Sequence, residues 1–212
     1  MRLELETILN EGCNLPDDKR ALLFSEHIST MQKVLGINKD TLFMLYFVKP
    51  DAVQSEISVI NRTLELSKEK LQIIPNSRLE VQGKNGIMIY EGKEYQADIN
   101  GLLERHYTPT IGGKPFFSDY ISQMTSQIVA YILKIPNVKP ENQNQKIQEF
   151  RKDVVGPTDC IAAKKALQKY GIRTIRAEFG TDKNTNAVHC SDSMTESTRE
   201  IMNIYSPVFK KN

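Results

Sequence analysis

Tryptophan is absent from this 212-residue chain, and cysteine and histidine occur only three times each. Cys13, Cys160 and Cys190 are widely spaced and odd in number, which excludes a disulfide framework, and without a CxxC pair a structural zinc site is not expected. Net charge is low as well. At +2 it gives no support for binding to nucleic acid or an acidic membrane, so any basic site must be local, as in an anion pocket. Long apolar runs are missing: the longest, residues 42–48, is far too short to span a bilayer. Residues 1–11 are charged and carry no apolar core of a leader peptide. The expectation is a protein of the reducing cytoplasm, with no membrane and no nucleic-acid partner. What remains is an ordinary globular balance, 40% hydrophobic and 25% charged, enough for a sizeable core in one domain with an appendage.

Residues 1–40 read as a helical extension. Leu3, Leu5, Ile8 and Leu9 recur at helical spacing, and the pattern resumes from Ala21 to Leu35 after Leu15-Pro16-Asp17-Asp18, a helix-start sequence, with Gly36 as a C-cap. Residues 42–48 form a continuous apolar run of strand length that stops at Lys49-Pro50, where proline cannot continue a central strand. A helix is expected over 53–70 and a strand over 71–74. Residues 78–97 alternate around two turn signals, Asn85-Gly86 and Glu91-Gly92-Lys93, and read as a meander. Helices over 98–107 and 115–126, a strand over 128–133, a loop over 137–144 and helices over 145–155 and 159–169 follow. Residues 174–179 and Ala187-Val188 read as short strands around a Gly/Asp/Asn loop. Ser193-Met194-Thr195-Glu196 is a capping box opening a helix that ends by Ser206-Pro207. Strands alternating with helices predict an α/β or α+β sandwich.

Of the three histidines, His27 and His106 lie in helical patterns and suit structural roles, His106 beside a helix C-terminus. His189 is different. It sits among small polar residues, Cys190-Ser191-Asp192-Ser193, just before a capped helix, where solvent and ligand can reach it. Cys190 cannot pair with it as a nucleophile, because neighbours on an extended segment point to opposite faces. Lys49 ends a buried strand, where ligand crevices form, and Arg173 and Arg176 precede the His189 segment with guanidinium groups suited to phosphate. No Walker sequence is present, and Gly112-Gly113-Lys114 is only a turn fragment.

Four ordered pieces carry a resemblance to a known family. They are Val48-Lys49-Pro50-Asp51-Ala52-Val53, then Glu104-Arg105-His106-Tyr107 with Lys114-Pro115-Phe116-Phe117, then Gly156-Pro157-Thr158-Asp159. The last runs from Ile175-Arg176-Ala177-Glu178-Phe179-Gly180-Thr181-Asp182 to Asn186-Ala187-Val188-His189-Cys190-Ser191-Asp192-Ser193. From about Thr41 to Phe209 the chain resembles the nucleoside diphosphate kinases, most of all their divergent eukaryotic branch, so residues 41–212 are read as the family's domain. The resemblance implies a ferredoxin-like α/β sandwich with a four-stranded antiparallel sheet. It also implies γ-phosphate transfer from a nucleoside triphosphate to a nucleoside diphosphate, by ping-pong through phosphohistidine. By the same resemblance His189 is the nucleophile, Glu200 its orienting carboxylate and Ser191 a second hydrogen-bonding partner. Arg176, Thr158 and Tyr107 contact phosphate, Lys49 bridges sugar and transferring phosphate, Asn186 binds the sugar hydroxyl, and Phe116 stacks on the base. Mg²⁺ is held through the nucleotide phosphates.

The departures are specific. The family's second arginine, four residues before Gly156, is Lys152 here, with Arg151 one position earlier. Lysine keeps the charge and loses the planar fork. Cys190 replaces a glycine, and Ser126-Gln127-Ile128 replaces Ser-Gly-Pro. Residues 83–97, 136–150 and 161–172 are insertions, the first a hairpin and the last in a loop that forms trimer contacts. With those changes and no C-terminal tail, a homo-oligomer is compatible, whereas the family's hexamer is not expected to carry over intact. The alternative function is a catalytically weak nucleotide-binding or scaffold module of the same fold.

Overall fold

The computed structural model describes residues 8, 9, 12 and 14–209. The readings at Leu3, Leu5 and Cys13 lie outside the described residues. The strands are β1 (Leu42–Val48), β2 (Gln72–Ile73), β3 (Leu79–Gln82), β4 (Ile87–Tyr90), β5 (Lys93–Gln96), β6 (Ile128–Ile135) and β7 (Val188–Cys190). They form one antiparallel sheet in the order β5-β4-β3-β6-β1-β7, with β2 pairing β6 beside β3. The stretch β7-β1-β6-β3 is the four-stranded ferredoxin-like sheet. The inserted hairpin β4–β5 does not stand apart but lengthens that sheet to six strands, and β2, paired to β6, is the seventh.

β1 and β6 are the central pair because their sequences are apolar on both faces. Every β1 residue is buried, and in β6 only Lys134 is not fully so. On one face Tyr46 hydrogen-bonds Thr63 of α3 (Glu56–Leu66). On the other, Phe47 packs on His106 of α4 (Ile99–Ile111) and on His189. Each fully buried large side chain contributes about 1.5–3 kcal/mol.

The N-terminal extension is helical as expected, but as two helices. These are α1 (Asp17–Ser25) and α2 (Ile28–Val34), which turn at Glu26-His27 so that Phe24 and Met31 are both buried. Then come α5 (Phe117–Met124), α6 (Pro140–Phe150), a π turn (Arg151–Val155), α7 (Cys160–Tyr170), α8 (Ile175–Phe179), α9 (Met194–Ile204) and α10 (Ser206–Phe209). α9 packs on β1, α4 and α1, which explains why it is buried almost all round and not along one stripe.

Three local expectations fail. The loop at 137–144 is partly helix, because Pro140 at the first helical position is pre-set for the turn and Glu141 follows in it. Residues 174–179 form helix α8, not a strand. The Thr174 hydroxyl accepts from Ala177 N and caps it, and a run this short has no decisive period. His189 lies on a strand and not in a loop: β7 pairs β1 with Phe47 opposite His189. The Ser193 cap is present, its hydroxyl accepting from Glu196 N.

Candidate active site

The site lies where β7 and β1 end, beneath the hairpin of α4 and α5. Ala187 begins it. It adopts φ 66°, a left-handed conformation unfavourable for a residue with a Cβ. The kink is held from both ends. Ala187 N donates to Asp51 Oδ2 at 2.9 Å, and Lys49 N donates to the Ala187 carbonyl at 2.8 Å. It turns Asn186 into the crevice and starts β7 in register for His189.

His189 stacks on Phe47, with centroids 4.6 Å apart and planes 17° from parallel. Its Nε2 faces both oxygens of Glu200, at 3.1 and 3.0 Å. Among the described residues its Nδ1 makes no hydrogen bond. The Ser191 hydroxyl donates to Glu200 Oε2 at 2.5 Å, and Leu45 N donates to that hydroxyl at 3.1 Å. Ser191 therefore reaches His189 through the carboxylate, not directly. Burial pushes the His189 imidazole well below its ordinary 6.5, and Lys49, Arg176, Arg151 and Arg199 add to the shift. Glu200 favours the charged ring, but burial and these basic groups outweigh it. The ring is neutral at pH 7.

Lys49 is almost fully buried. Its Nζ donates to Asn186 Oδ1 at 2.8 Å and to the Tyr120 hydroxyl at 2.9 Å. Burial, then Arg176, pulls its pKa down to about 7, against Asp51 and Asp182. Asn186 Nδ2 donates to the Thr158 and Lys183 carbonyls. Arg176 Nη1 donates to the Gly156 carbonyl at 3.0 Å and lies 3.5 Å from the Thr158 hydroxyl, Nη2 donates to the Val188 carbonyl, and Nε is left without a partner. Gln148, Arg151, Lys152, Gly156, Pro157, Thr158 and Arg176 line a cavity of about 310 Å³.

Arg151 and Lys152 both line this cavity, and the π turn gives them different surroundings. Gly156 N donates to the Arg151 carbonyl at 2.8 Å, a five-residue span that adds one residue to the turn. Counting four back from Gly156 gives Lys152, but the wider turn sets Arg151 one turn before the glycine. Lys152 is exposed, while Arg151 lies 3.9 Å from Asp192 and acts on His189. Gly156 ends the turn at φ +89°, where a Cβ would collide with the Thr174 side chain.

The structure thus brings together Lys49, Tyr107, Arg151, Thr158, Arg176, Asn186, His189, Ser191 and Glu200, with Lys152 exposed on the wall of the cavity beside Arg151. Phe116 precedes α5 and is 45% exposed. Arg173 is exposed and outside the group.

His106 was misread as a helix-end residue. α4 runs on past it, and its ring is 4.6 Å from that of His189, buried, with neither nitrogen hydrogen-bonded among the described residues and Nε2 3.7 Å from Glu200 Oε1. The signal was in the sequence: Ile99, Leu102, Leu103 and His106 fall on one apolar stripe. Tyr120 was also missed. It follows Phe116 by one helical turn and bonds Lys49. His106, His189 and Glu200 offer donor atoms within 4.8 Å of one another, a metal-like grouping. Arg199 stands 3.6 Å from Glu200, and Lys49, Arg151 and Arg176 are near, so an added cation would meet like charge. The group suits an anion.

Among the described residues no helix is long and apolar enough to cross a membrane. The family model for nucleoside diphosphate kinase matches residues 41–208. Nucleoside diphosphate kinase of Aquifex aeolicus (strain VF5) is 36% identical over 117 residues, 51% of this chain and 73% of that protein. The one from Listeria innocua serovar 6a is 35% identical over 125 residues, 58% of this chain and 73% of that protein. A crystal structure of the Aquifex aeolicus enzyme superposes with a TM-score of 0.54 at 24% identity, covering 79% of this chain and 97% of that one. The apo enzyme of Encephalitozoon cuniculi gives 0.52 at 21%, covering 76% and 87%. At those identities the superpositions establish the fold, and the match over most of the sequence establishes the lineage: this chain belongs to the nucleoside diphosphate kinase family.

Proposed function

We propose that the chain moves the γ-phosphate of a nucleoside triphosphate to a nucleoside diphosphate by ping-pong through a phosphohistidine at His189. One observation carries the reading. Glu200 faces Nε2 of an imidazole that burial, Lys49, Arg176 and Arg151 keep neutral, while Nδ1 makes no hydrogen bond among the described residues.

In this reading the Nδ1 lone pair attacks the γ-phosphorus, the bond to the bridging oxygen breaks, and the nucleoside diphosphate leaves with that electron pair. The phosphorylated ring carries positive charge, which Glu200 offsets while keeping the Nε2 proton. An oxygen of the second diphosphate's terminal phosphate then attacks phosphorus and the P–N bond breaks. Arg176, Arg151 and Thr158 bind the phosphates, with Tyr107 and Lys152 at the same tail. Lys49 bridges sugar and phosphate, Asn186 takes the sugar hydroxyl, and Phe116 stacks on the base, which its exposure favours. Glu200, Asp51 and Asp182 all accept hydrogen bonds from the protein, which leaves Mg²⁺ to be carried by the nucleotide's own oxygens, where it would neutralise charge during transfer.

The test is incubation with ATP and Mg²⁺ followed by a search for an acid-labile phosphoryl group on His189, and transfer assays of His189→Ala. Phosphorylation in the wild type and a loss of about 10³-fold or more in the variant are expected. Nucleotide binding by calorimetry without any phosphoenzyme would favour the binding module instead.

A further inference from the structure

α1 lies outside the residues matched by the family model, yet it is wired to the nucleophile. Arg20, buried on α1, donates from Nε to Glu196 Oε1 at 3.3 Å, from Nη2 to Asp17 Oδ1 at 2.8 Å and from Nη1 to the Leu15 carbonyl. The other oxygen of Glu196 accepts from Arg199 Nε at 2.8 Å. Arg199 is fully buried. It donates to the Arg105 and His106 carbonyls of α4 and stands 3.6 Å from Glu200 Oε1. Glu200 faces His189 at 3.0 Å. Side-chain exposure is 10% at Arg20, 17% at Glu196 and 0% at Arg199, so solvent screens these charges weakly.

From this geometry we infer that Arg20 is a positioning residue for the nucleophile, acting through Glu196 and Arg199 on the orientation of Glu200. Arg20 and Arg199 share one carboxylate. While Arg20 holds Glu196 Oε1, Arg199 meets Oε2 from both Nε and Nη2 at 2.8 Å, and the same Nη2 donates to the His106 carbonyl and stands 3.6 Å from Glu200 Oε1. Without Arg20, Glu196 can take Arg199 by both oxygens and draw it from Glu200. The inference rests on the kinase reading only for its effect on turnover.

Other charges face the same group. Lys49 comes from β1, Arg176 from α8, Arg151 from the π turn, and His106 and Tyr107 from α4, with Asp192 beside β7. None of these is altered by substitution on α1, so the change can be read at His189 itself.

The experiment is an NMR titration of the His189 ring in wild type, Arg20→Gln, Arg20→Lys and Glu196→Gln, alongside transfer kinetics and melting. Arg20→Gln removes a positive charge and slackens Arg199, so the midpoint rises by a few tenths of a pH unit. The kcat falls about 3–10-fold with KM for nucleotide near wild type. Glu196→Gln frees Arg199 for Glu200, and the midpoint moves the other way. Arg20→Lys restores part of both effects. A merely structural role would lower the melting temperature in both charge-removing variants and shift neither midpoint. That result overturns the inference, as does a shift of both midpoints in one direction. Should Arg20→Gln not fold, the other two variants give the same reading. The titration needs no turnover. Opposed shifts in a protein that forms no phosphohistidine would refute the kinase reading alone, and unchanged midpoints in an active enzyme would refute the Arg20 circuit alone.

Discussion

The hairpin β4–β5 forms one edge of the sheet and β7 the other, and they face very different surroundings. In the hairpin Met88 and Tyr95 stand opposite each other and are both buried, while the rest of β4 is half-buried and the rest of β5 exposed. A two-residue turn, Glu91-Gly92, joins the strands with both residues at positive φ, which suits their twist. Nothing buried there is charged. At β7 the buried groups include Lys49, Arg176, Glu200 and His106, and a left-handed alanine sets the register. One edge is organised by apolar burial. The other keeps cations out of water at a cost in stability, the arrangement expected where an anion must be met.

The sharpest way to break that contrast is to damage the apolar edge. Met88 is fully buried, and Met88→Ala should cost about 2–5 kcal/mol of stability through its cavity. Denaturant melts should show that loss while kcat stays within about two-fold of wild type, because the hairpin and His189 lie at opposite edges of the sheet. A large drop in kcat in protein that is still folded would mean that the two edges are coupled.

The second comparison is between neighbours within the site edge. Arg151→Ala should lower kcat/KM about 10–100-fold, and Lys152→Ala less than about 3-fold, because the arginine acts on His189 while the lysine is exposed. Steady-state kinetics on the two variants decide it, and equal losses would mean that the simple four-residue count identifies the cation correctly.

What the sequence made legible follows the same divide. The all-apolar stretch 42–48, the alternation around Asn85-Gly86 and Glu91-Gly92, and the Ser193 cap are local patterns, and each forms the element they imply. The site residues were legible through the resemblance, from motifs whose order the fold keeps. The failures are non-local. Thr174–Phe179 is too short to declare a period, and its capping hydroxyl decides it. A π turn leaves no mark in composition, so Lys152 and Arg151 could not be ranked by counting. The wiring of α1 to Glu200 depends on a contact between residues 20 and 196, which no local pattern contains.

The smallest effect separates the buried histidines from the rest of the titration. Burial pushes both His106 and His189 well below 6.5. Each is therefore neutral in the folded chain under conditions where the unfolded chain has already taken up its proton. Below about 6.5 the unfolded state binds more protons, so the stability present at neutral pH is lost as pH falls toward the folded midpoints, at up to about 1.4 kcal/mol per pH unit for each ring. Urea melts between pH 5 and 7.5 should show this slope, and His106→Gln should remove about half of the histidine share, since carboxylates contribute equally to both proteins. Activity should behave differently. Acidification through about 7 charges Lys49, which favours the anionic nucleotide, and a nucleophile still neutral below 6.5 keeps attacking, so kcat/KM does not fall as the medium is acidified past the ordinary histidine range. If kcat/KM instead fell with a midpoint at 6.5, burial and the cations would not be holding the proton off His189, and the two edges of the sheet would be less different than their charges make them.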